Sequence, residues 1–338
     1  MANPFDRNKF IRDLHLAVDA LDQASELGFQ LSKKDIQRLF LIACGAPNQT
    51  MSVVEYWAKK VLKTIEIRRY FPAEFIHQDP LALEQNSLVI LSSHSGKTKE
   101  ILQAATFLQD KPCSKIAITQ SDHSPLSLQS EFTLAYGEGE QGYYAGYMLV
   151  QSLISAILKE KESWNIHSEL MASLKAMPES LAQTTISLDS ETLKFAQSIL
   201  DEPLIYIVGA GPVYCTAYVI ATCILMEMQW IHAHPLRAAE FFHGPFEVFD
   251  ENTPLILLLG EDPSRPEVER VARFCTKISS RMITLDSKAL PMDGIDDACR
   301  PILAPFFLDA VLFRMAEHLA SLRNHPLTTR RYMGKMEY

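Results

Sequence analysis

Apolar runs broken by glycine, proline and hydroxyl residues set out the first half of the chain. Phe10, Ile11, Leu14, Val18 and Leu21 share one stripe and predict an opening helix over residues 8–28. Residues 38–44 turn apolar after Arg38 and predict a buried strand. Gly45-Ala46-Pro47 breaks it, and a helix follows to about residue 61. Further strands are predicted over 64–69, 87–92, 115–120 and 131–136, with helices over about 99–109 and over 144–159. Helical, linker-like sequence runs over 168–201. Strands alternating with helices predict an α/β fold, a parallel sheet covered on both faces.

The second half repeats the first. Ile42-Ala43-Cys44-Gly45-Ala46-Pro47 returns as Ile207-Val208-Gly209-Ala210-Gly211-Pro212. Ala73-Glu74-Phe75 returns as Ala239-Glu240-Phe241, and Asn86-Ser87-Leu88-Val89 as Asn252-Thr253-Pro254-Leu255, both shifted by 166 positions. Ile118-Thr119 returns as Ile283-Thr284, shifted by 165. Matches held in register predict two tandem copies of one doubly wound domain, residues 1–184 and 185–338. Ligands of such a domain bind beyond the carboxyl ends of its strands.

Composition narrows the function. With 338 residues and 47% apolar content, the chain can bury two cores. A net charge of −9 argues against a general nucleic-acid or anionic-membrane surface but leaves room for a local phosphate site. The first thirty residues show no signal-peptide core. The apolar run 254–259 is far short of the roughly 20 residues of a membrane helix. None of the six cysteines forms a Cys-x-x-Cys pair, which predicts reduced structural thiols in a cytoplasm. His232 and His234 have no partners nearby to complete a metal site, so no metal is expected.

Two places hold candidate chemistry. Glu227 follows Val219 and Cys223 at i+4 spacing, which predicts a carboxylate on an apolar helix face. Such a group is costly unless it is paired or used. Later comes His243, with Gly244-Pro245 placed to stop a short helix begun near Glu240. A buried acid and a fixed imidazole can move protons at a carbonyl carbon; a satisfied core glutamate and a capping histidine are the plainer alternative. The other place is Ser93-His94-Ser95-Gly96-Lys97-Thr98, at the end of the third predicted strand. Three hydroxyls, a glycine and a helix start make an anion cradle. It lacks the Walker spacing. In the second copy the same place reads Gly260-Glu261-Asp262-Pro263, whose carboxylates would repel a phosphate. Copy one is therefore expected to hold phosphate and copy two to supply Glu227 and His243, in one composite site per chain or one shared across a dimer.

At these residues the chain resembles the sugar isomerase (SIS) domain family. Ser93–Thr98 is similar to its Ser-x-Ser-Gly-x-Thr sugar-phosphate loop. Met226-Glu227 and Glu240-Phe241-Phe242-His243-Gly244-Pro245 are similar to its second-domain motifs. Within the family the fructosamine-6-phosphate deglycases are most similar, through Met226–His232, Glu240–Glu247, the tail His325–Tyr332 and the Glu337-Tyr338 ending. The resemblance implies two α/β/α sandwiches, each with a five-stranded parallel sheet, in a homodimer or larger assembly. It also implies cleavage of a phosphorylated sugar-amine to glucose 6-phosphate and an amino acid. The family's catalytic pair falls on Glu227 and His243, and its phosphate ligands on Ser93, Ser95 and Thr98. The aspartate adduct is the expected substrate.

The chain departs from the family's synthase, which has a phosphate-binding serine where Cys44-Gly45-Ala46-Pro47 offers no hydroxyl. That contact is then absent or moves to Asn48 or Thr50. Nothing resembles the synthase's glutaminase domain, so glucosamine synthesis is not expected. In the expected chemistry His243 opens the sugar ring and Glu227 moves a proton between C1 and C2, with no cofactor required. Glu240 either orients His243 or the substrate amine or only starts a helix. Arg330, Arg331 and Lys335 either reach a substrate anion or form a solvated tail. His94 either touches the ligand or stands by. A ketose–aldose isomerase would use the same pair. A non-catalytic sugar-phosphate sensor is the rival of another class, but only about 35 residues precede the first strand, too few for a helix-turn-helix module.

Overall fold

Asp6 starts the first helix by accepting the amide of Lys9 at 3.0 Å, and α1 runs Arg7–Ser32. It outruns the expected helix because Leu31 and Ser32 still find burial. The computed structural model describes residues 4–81, 83–279 and 281–337, so Tyr338 lies outside the described residues. Two compact units emerge, residues 6–178 with 294–299, and residues 179–293 with the chain from 300 onward.

In the first unit follow β1 (Arg38–Ala43), α2 (Gly45–Val61), β2 (Glu66–Tyr70), α3 (Pro72–Gln78) and β3 (Ser87–Ser92). Then come α4 (Lys99–Phe107), β4 (Ser114–Thr119), β5 (Phe132–Ala135), α5 (Gly142–Glu162) and the start of α6 (His167–Ser187). The five strands pair in parallel in the order β2-β1-β3-β4-β5, with Arg38 opposite Glu66 and Ala43 opposite Ser92. Every residue of β3 is buried, as a strand covered on both faces requires. One face packs on Phe75 of α3, Ile101 and Ala104 of α4, and Leu108 at the end of α4. On α1, a Cβ at Gly28 would sit 2.4 Å from the Leu153 carbonyl oxygen, so only glycine lets α1 approach α5 this closely. The strand order reverses between β1 and β3, which opens a crevice beyond their carboxyl ends, where the Ser93–Thr98 loop begins.

The second unit holds α7 (Asp189–Ser198), β6 (Leu204–Gly209), α8 (Tyr214–Tyr218), a π-helical stretch Val219–Met226 and α9 (Glu227–Gln229). It continues with β7 (His232–Arg237), β8 (Leu255–Leu259), α10 (Arg265–Cys275), β9 (Met282–Asp286) and α11 (Arg300–Leu322). Its parallel order, β7-β6-β8-β9, repeats that of the first unit, and the tandem-copy reading is borne out. Phe75 and Phe241, matched in the repeat, are both fully buried. Pro235 sits on the edge strand β7, where a missing N–H is tolerated.

Three expectations need correction. The second sheet has four strands among the described residues, not five. After β9 the chain meets Pro291, which has no amide hydrogen to donate to a sheet, and Gly294 at φ 80°, and takes turns. The stretch Gly211–Gln229 is long and apolar enough to cross a membrane by length and composition, unlike the run 254–259. Over half of it is buried within the fold, as in a core helix. Finally, Val219, Cys223 and Glu227 do not share a buried face. The stretch that carries Val219 and Cys223 is π-helical, with bonds from i to i+5, and leads directly into Glu227. Val219 is buried while Cys223 and Glu227 are half-buried.

Candidate active site

The loop after β3 is tied down from below. The Ser93 amide donates to the Ile118 carbonyl at 3.1 Å, and the His94 carbonyl accepts the Gln120 amide at 3.0 Å and the Thr119 hydroxyl at 3.1 Å. Gly96 has φ 63°, and a Cβ there would lie 2.3 Å from Ser124 Oγ, so the turn admits glycine alone. Ser93 Oγ and Thr98 Oγ1 lie 2.8 Å apart, and the Lys97 amide donates to Ser95 Oγ at 3.2 Å. Thr98 occupies the N-cap of α4 without capping an amide. Hydroxyls and unpaired helix amides therefore meet at one spot, the arrangement an anion needs.

His94 belongs to this loop. Its Nδ1 lies 2.9 Å from Tyr136 Oη, and the two rings stack at 5.9 Å. Gly142, at the start of α5, makes room for the ring, since a Cβ there would come within 2.1 Å of Nδ1. Desolvation lowers the His94 pKa from its ordinary value, which favours the neutral ring. Nothing in the sequence marks Tyr136 or Gly142 as its partners. Asn48 and Thr50 are both committed to the chain itself. Asn48 Nδ2 donates to the Ala43 and Tyr70 carbonyls at 2.9 and 2.8 Å, and its Oδ1 accepts from Arg69. Thr50 donates to the Pro47 carbonyl at 2.9 Å. Neither side chain replaces the missing serine. Burial pushes the Cys44 thiol up to about 11, with Glu100 adding to the effect, so it stays protonated at neutral pH.

The matching crevice of the second copy is closed by the protein's own acids. Asp262 is buried, and its Oδ1 accepts the Ser264 amide at 2.9 Å and the Ser264 hydroxyl at 2.6 Å. A Cβ at Gly211 would fall 2.4 Å from Ser264 Oγ and 2.7 Å from Asp262 Oδ1. Glu261 is held by Arg300 through two bonds of 3.1 Å and by the Ser287 hydroxyl at 3.0 Å. Internal carboxylates thus fill the place where the first copy keeps hydroxyls.

Glu227 lines a cleft of about 740 Å³ with Met226, Trp230, His232, Arg330 and Tyr332. The cleft exists because the tail folds back onto α9. Arg323 Nη1 donates to the Gln229 carbonyl at 2.5 Å, and Gln229 Nε2 donates to the His325 carbonyl at 2.8 Å. Trp230 ends α9 at φ 56°, a left-handed conformation that costs a bulky residue on the order of 1 kcal/mol. Its ring is clamped between His325, at 4.6 Å, and the Arg331 guanidinium, at 4.2 Å. The tail is therefore packed against α9 through His325 and Arg331, while residues 331–337 remain exposed.

Within the cleft, Arg330 Nη2 stands 3.0 Å from Glu227 Oε1. Burial raises the Glu227 pKa, and Arg330 opposes this by charge and hydrogen bond; the balance leaves it above the ordinary value. Lys335 does not face the cleft through its ammonium, which donates to the Arg330 carbonyl at 2.6 Å.

His243 and Glu240 sit apart from this lining. The expected short helix is instead a 3₁₀ turn, Ala238–Glu240, then a bend with Gly244 at φ 134° and a second 3₁₀ turn, Pro245–Val248. Too few residues lie between Arg237 and Gly244 for a stable α-helix. The His243 amide donates to the Glu240 carbonyl at 2.9 Å, and both side chains are exposed. Phe241 is buried beside them, and Phe242 and Phe246 pack on Phe274, so a firm aromatic base presents His243 outward.

A SIS domain matches residues 30–158. The chain is 36% identical over 311 residues to fructosamine deglycase FrlB of Bacillus subtilis, covering 91% of this chain and 94% of that one. It is 27% identical over 308 residues to fructoselysine 6-phosphate deglycase of Escherichia coli O157:H7, covering 90% and 88%. A solved structure of a candidate phosphosugar isomerase from Bacillus subtilis superposes with a TM-score of 0.89 at 35% identity, over 95% of this chain and 99% of that one. With two parallel sheets in matching strand order and a hydroxyl loop at the first crevice, the chain belongs to the SIS-domain family, in the group of the fructosamine deglycases.

Proposed function

We propose that this protein is a deglycase that splits a phosphorylated Amadori compound into glucose 6-phosphate and an amino acid. The observation that carries the reading is Glu227, a half-buried carboxylate with a raised pKa inside a cleft large enough for a sugar-amine. The Ser93, Ser95 and Thr98 hydroxyls and the start of α4 hold the phosphate, with His94 beside them. His243 moves the proton that opens the sugar ring. Glu227 then takes a proton from C1, giving the enaminol, and returns it to C2, leaving an imine at C1. One water adds to the imine carbon, and the amine departs with the proton it needs. The division of labour follows the two domains, 1–184 for phosphate and 185–338 for proton transfer. Glu240 has the role of fixing the His243 turn through its backbone carbonyl.

The substrate we propose is the aspartate adduct, supported by the resemblance of Met226–His232 and the tail and by the cations Arg330 and Arg331 at the cleft. A homodimer is the proposed assembly, with the exposed His243 of one chain serving the cleft of the other. Incubation with 6-phosphofructosyl-aspartate should release glucose 6-phosphate. Competing the aspartate and lysine adducts in one tube tests the finer choice; a tenfold preference for lysine would overturn it. Interconversion of simple ketose and aldose phosphates, without cleavage of any adduct, would instead point to an isomerase.

A further inference from the structure

We infer that Arg330 serves two carboxylates in turn, that of Glu227 and that of the amino acid carried by the substrate. The inference rests on the deglycase reading of the cleft. Three observations lead to it. First, the guanidinium is held from behind. Arg330 Nη1 donates to the Leu327 and Thr329 carbonyls at 2.8 and 2.9 Å, and Lys335 pins the Arg330 carbonyl at 2.6 Å. The Nη2 side meets Glu227, another residue of the cleft lining, at 3.0 Å. A planar fork held in this way keeps its Nη2 edge in place, where one carboxylate can replace another without the backbone moving.

Second, the substrate places its own carboxylate there. A base that takes a proton from C1 lies within about 3 Å of it. The Amadori nitrogen is bonded to C1, and an α-linked amino acid has its carboxylate two bonds beyond that nitrogen. A cation already bonded to Glu227 therefore stands next to where this carboxylate arrives. Third, the exchange suits the chemistry. Burial raises the Glu227 pKa and Arg330 lowers it. When Arg330 turns to the substrate, desolvation is less opposed and Glu227 becomes the stronger base at the moment a proton is to be removed. The other charged or titratable groups facing the cleft are Arg331, His232 and Tyr332. Arg331 is stacked on Trp230 and held there. A substrate without a carboxylate leaves Arg330 on Glu227 and the base weaker.

The test compares 6-phosphofructosyl-glycine with 6-phosphofructosyl-glycinamide, measuring kcat/KM across pH for the wild type, Arg330→Gln and Arg330→Lys. The wild type should favour the carboxylate by tenfold or more. Arg330→Gln should erase that preference and move the acid limb of kcat/KM to higher pH, because the free carboxylate loses its cation. Arg330→Lys should restore part of both. A wild type that turns over both adducts equally, or an Arg330→Gln enzyme with an intact preference and an unmoved acid limb, would overturn the inference while leaving the deglycase reading in place. Glucose 6-phosphate from neither adduct, with release from 6-phosphofructosyl-aspartate intact, would overturn this inference alone; no release from the aspartate adduct either would overturn the deglycase reading with it.

Discussion

Ser93 Oγ and Thr98 Oγ1 face each other at 2.8 Å across the turn made by Gly96. Because Thr98 uses its hydroxyl on Ser93 and not on a helix amide, the first turn of α4 keeps its donors for an anion. Thr98→Val or Ser95→Ala should weaken glucose 6-phosphate binding by about 1.5–3 kcal/mol, the range for a hydrogen bond to a charged group. Calorimetric titration reads this directly. Unchanged affinity in both variants would remove the loop from the phosphate site.

Glu227→Gln keeps the shape of the side chain and removes the proton acceptor. Turnover should fall by roughly a hundredfold or more with little change in substrate affinity. The sign of the pH dependence follows from burial. The folded pKa lies above the ordinary 4.5, and the base acts only when ionised. The wild-type rate should therefore decline on acidification through a midpoint above 4.5, a step that pH-rate profiles would locate. A midpoint at or below the ordinary value would contradict the role.

His243 is exposed on a turn backed by aromatic rings, outside the lining of the Glu227 cleft. If a second chain supplies it, Glu227→Gln and His243→Ala proteins, each inactive, should recover activity when mixed under conditions of subunit exchange. Sedimentation would report the dimer. Full activity in a monomer would exclude a shared site.

His167 is buried between Ser25 Oγ, 3.1 Å from Nε2, and Ser155 Oγ, 2.9 Å from Nδ1. Burial, with Lys159 adding to it, lowers its pKa from 6.5 to about 4. Since the folded value is the depressed one, the stabilisation is full above pH 6.5 and is lost as the pH falls from there toward 4. At pH 5 the loss should be on the order of 2 kcal/mol. Denaturant midpoints at pH 7 and pH 5 measure it. His167→Gln should flatten the difference, and an equal slope in both proteins would show that other groups set the acid sensitivity.

The sequence by itself determined the two α/β copies, their parallel strands and the hydroxyl loop after β3. These depend on local information: apolar runs of strand length, glycine and proline breaks, and six adjacent residues around Gly96. It also pointed to Glu227 as an acid among apolar neighbours. Tertiary structure decided what each group meets. Arg330 reaches Glu227 only because the tail is folded back by Arg323, Gln229 and the Trp230–His325 contact. Tyr136 reaches His94 only because β4 and β5 bring the two loops together. Glu227, expected on an apolar face, is half-buried and paired with Arg330, and the second sheet has four strands among the described residues. A hydrophobic period fixes which side of an element is buried, but not which distant side chain closes over it, since that follows from how the whole chain packs.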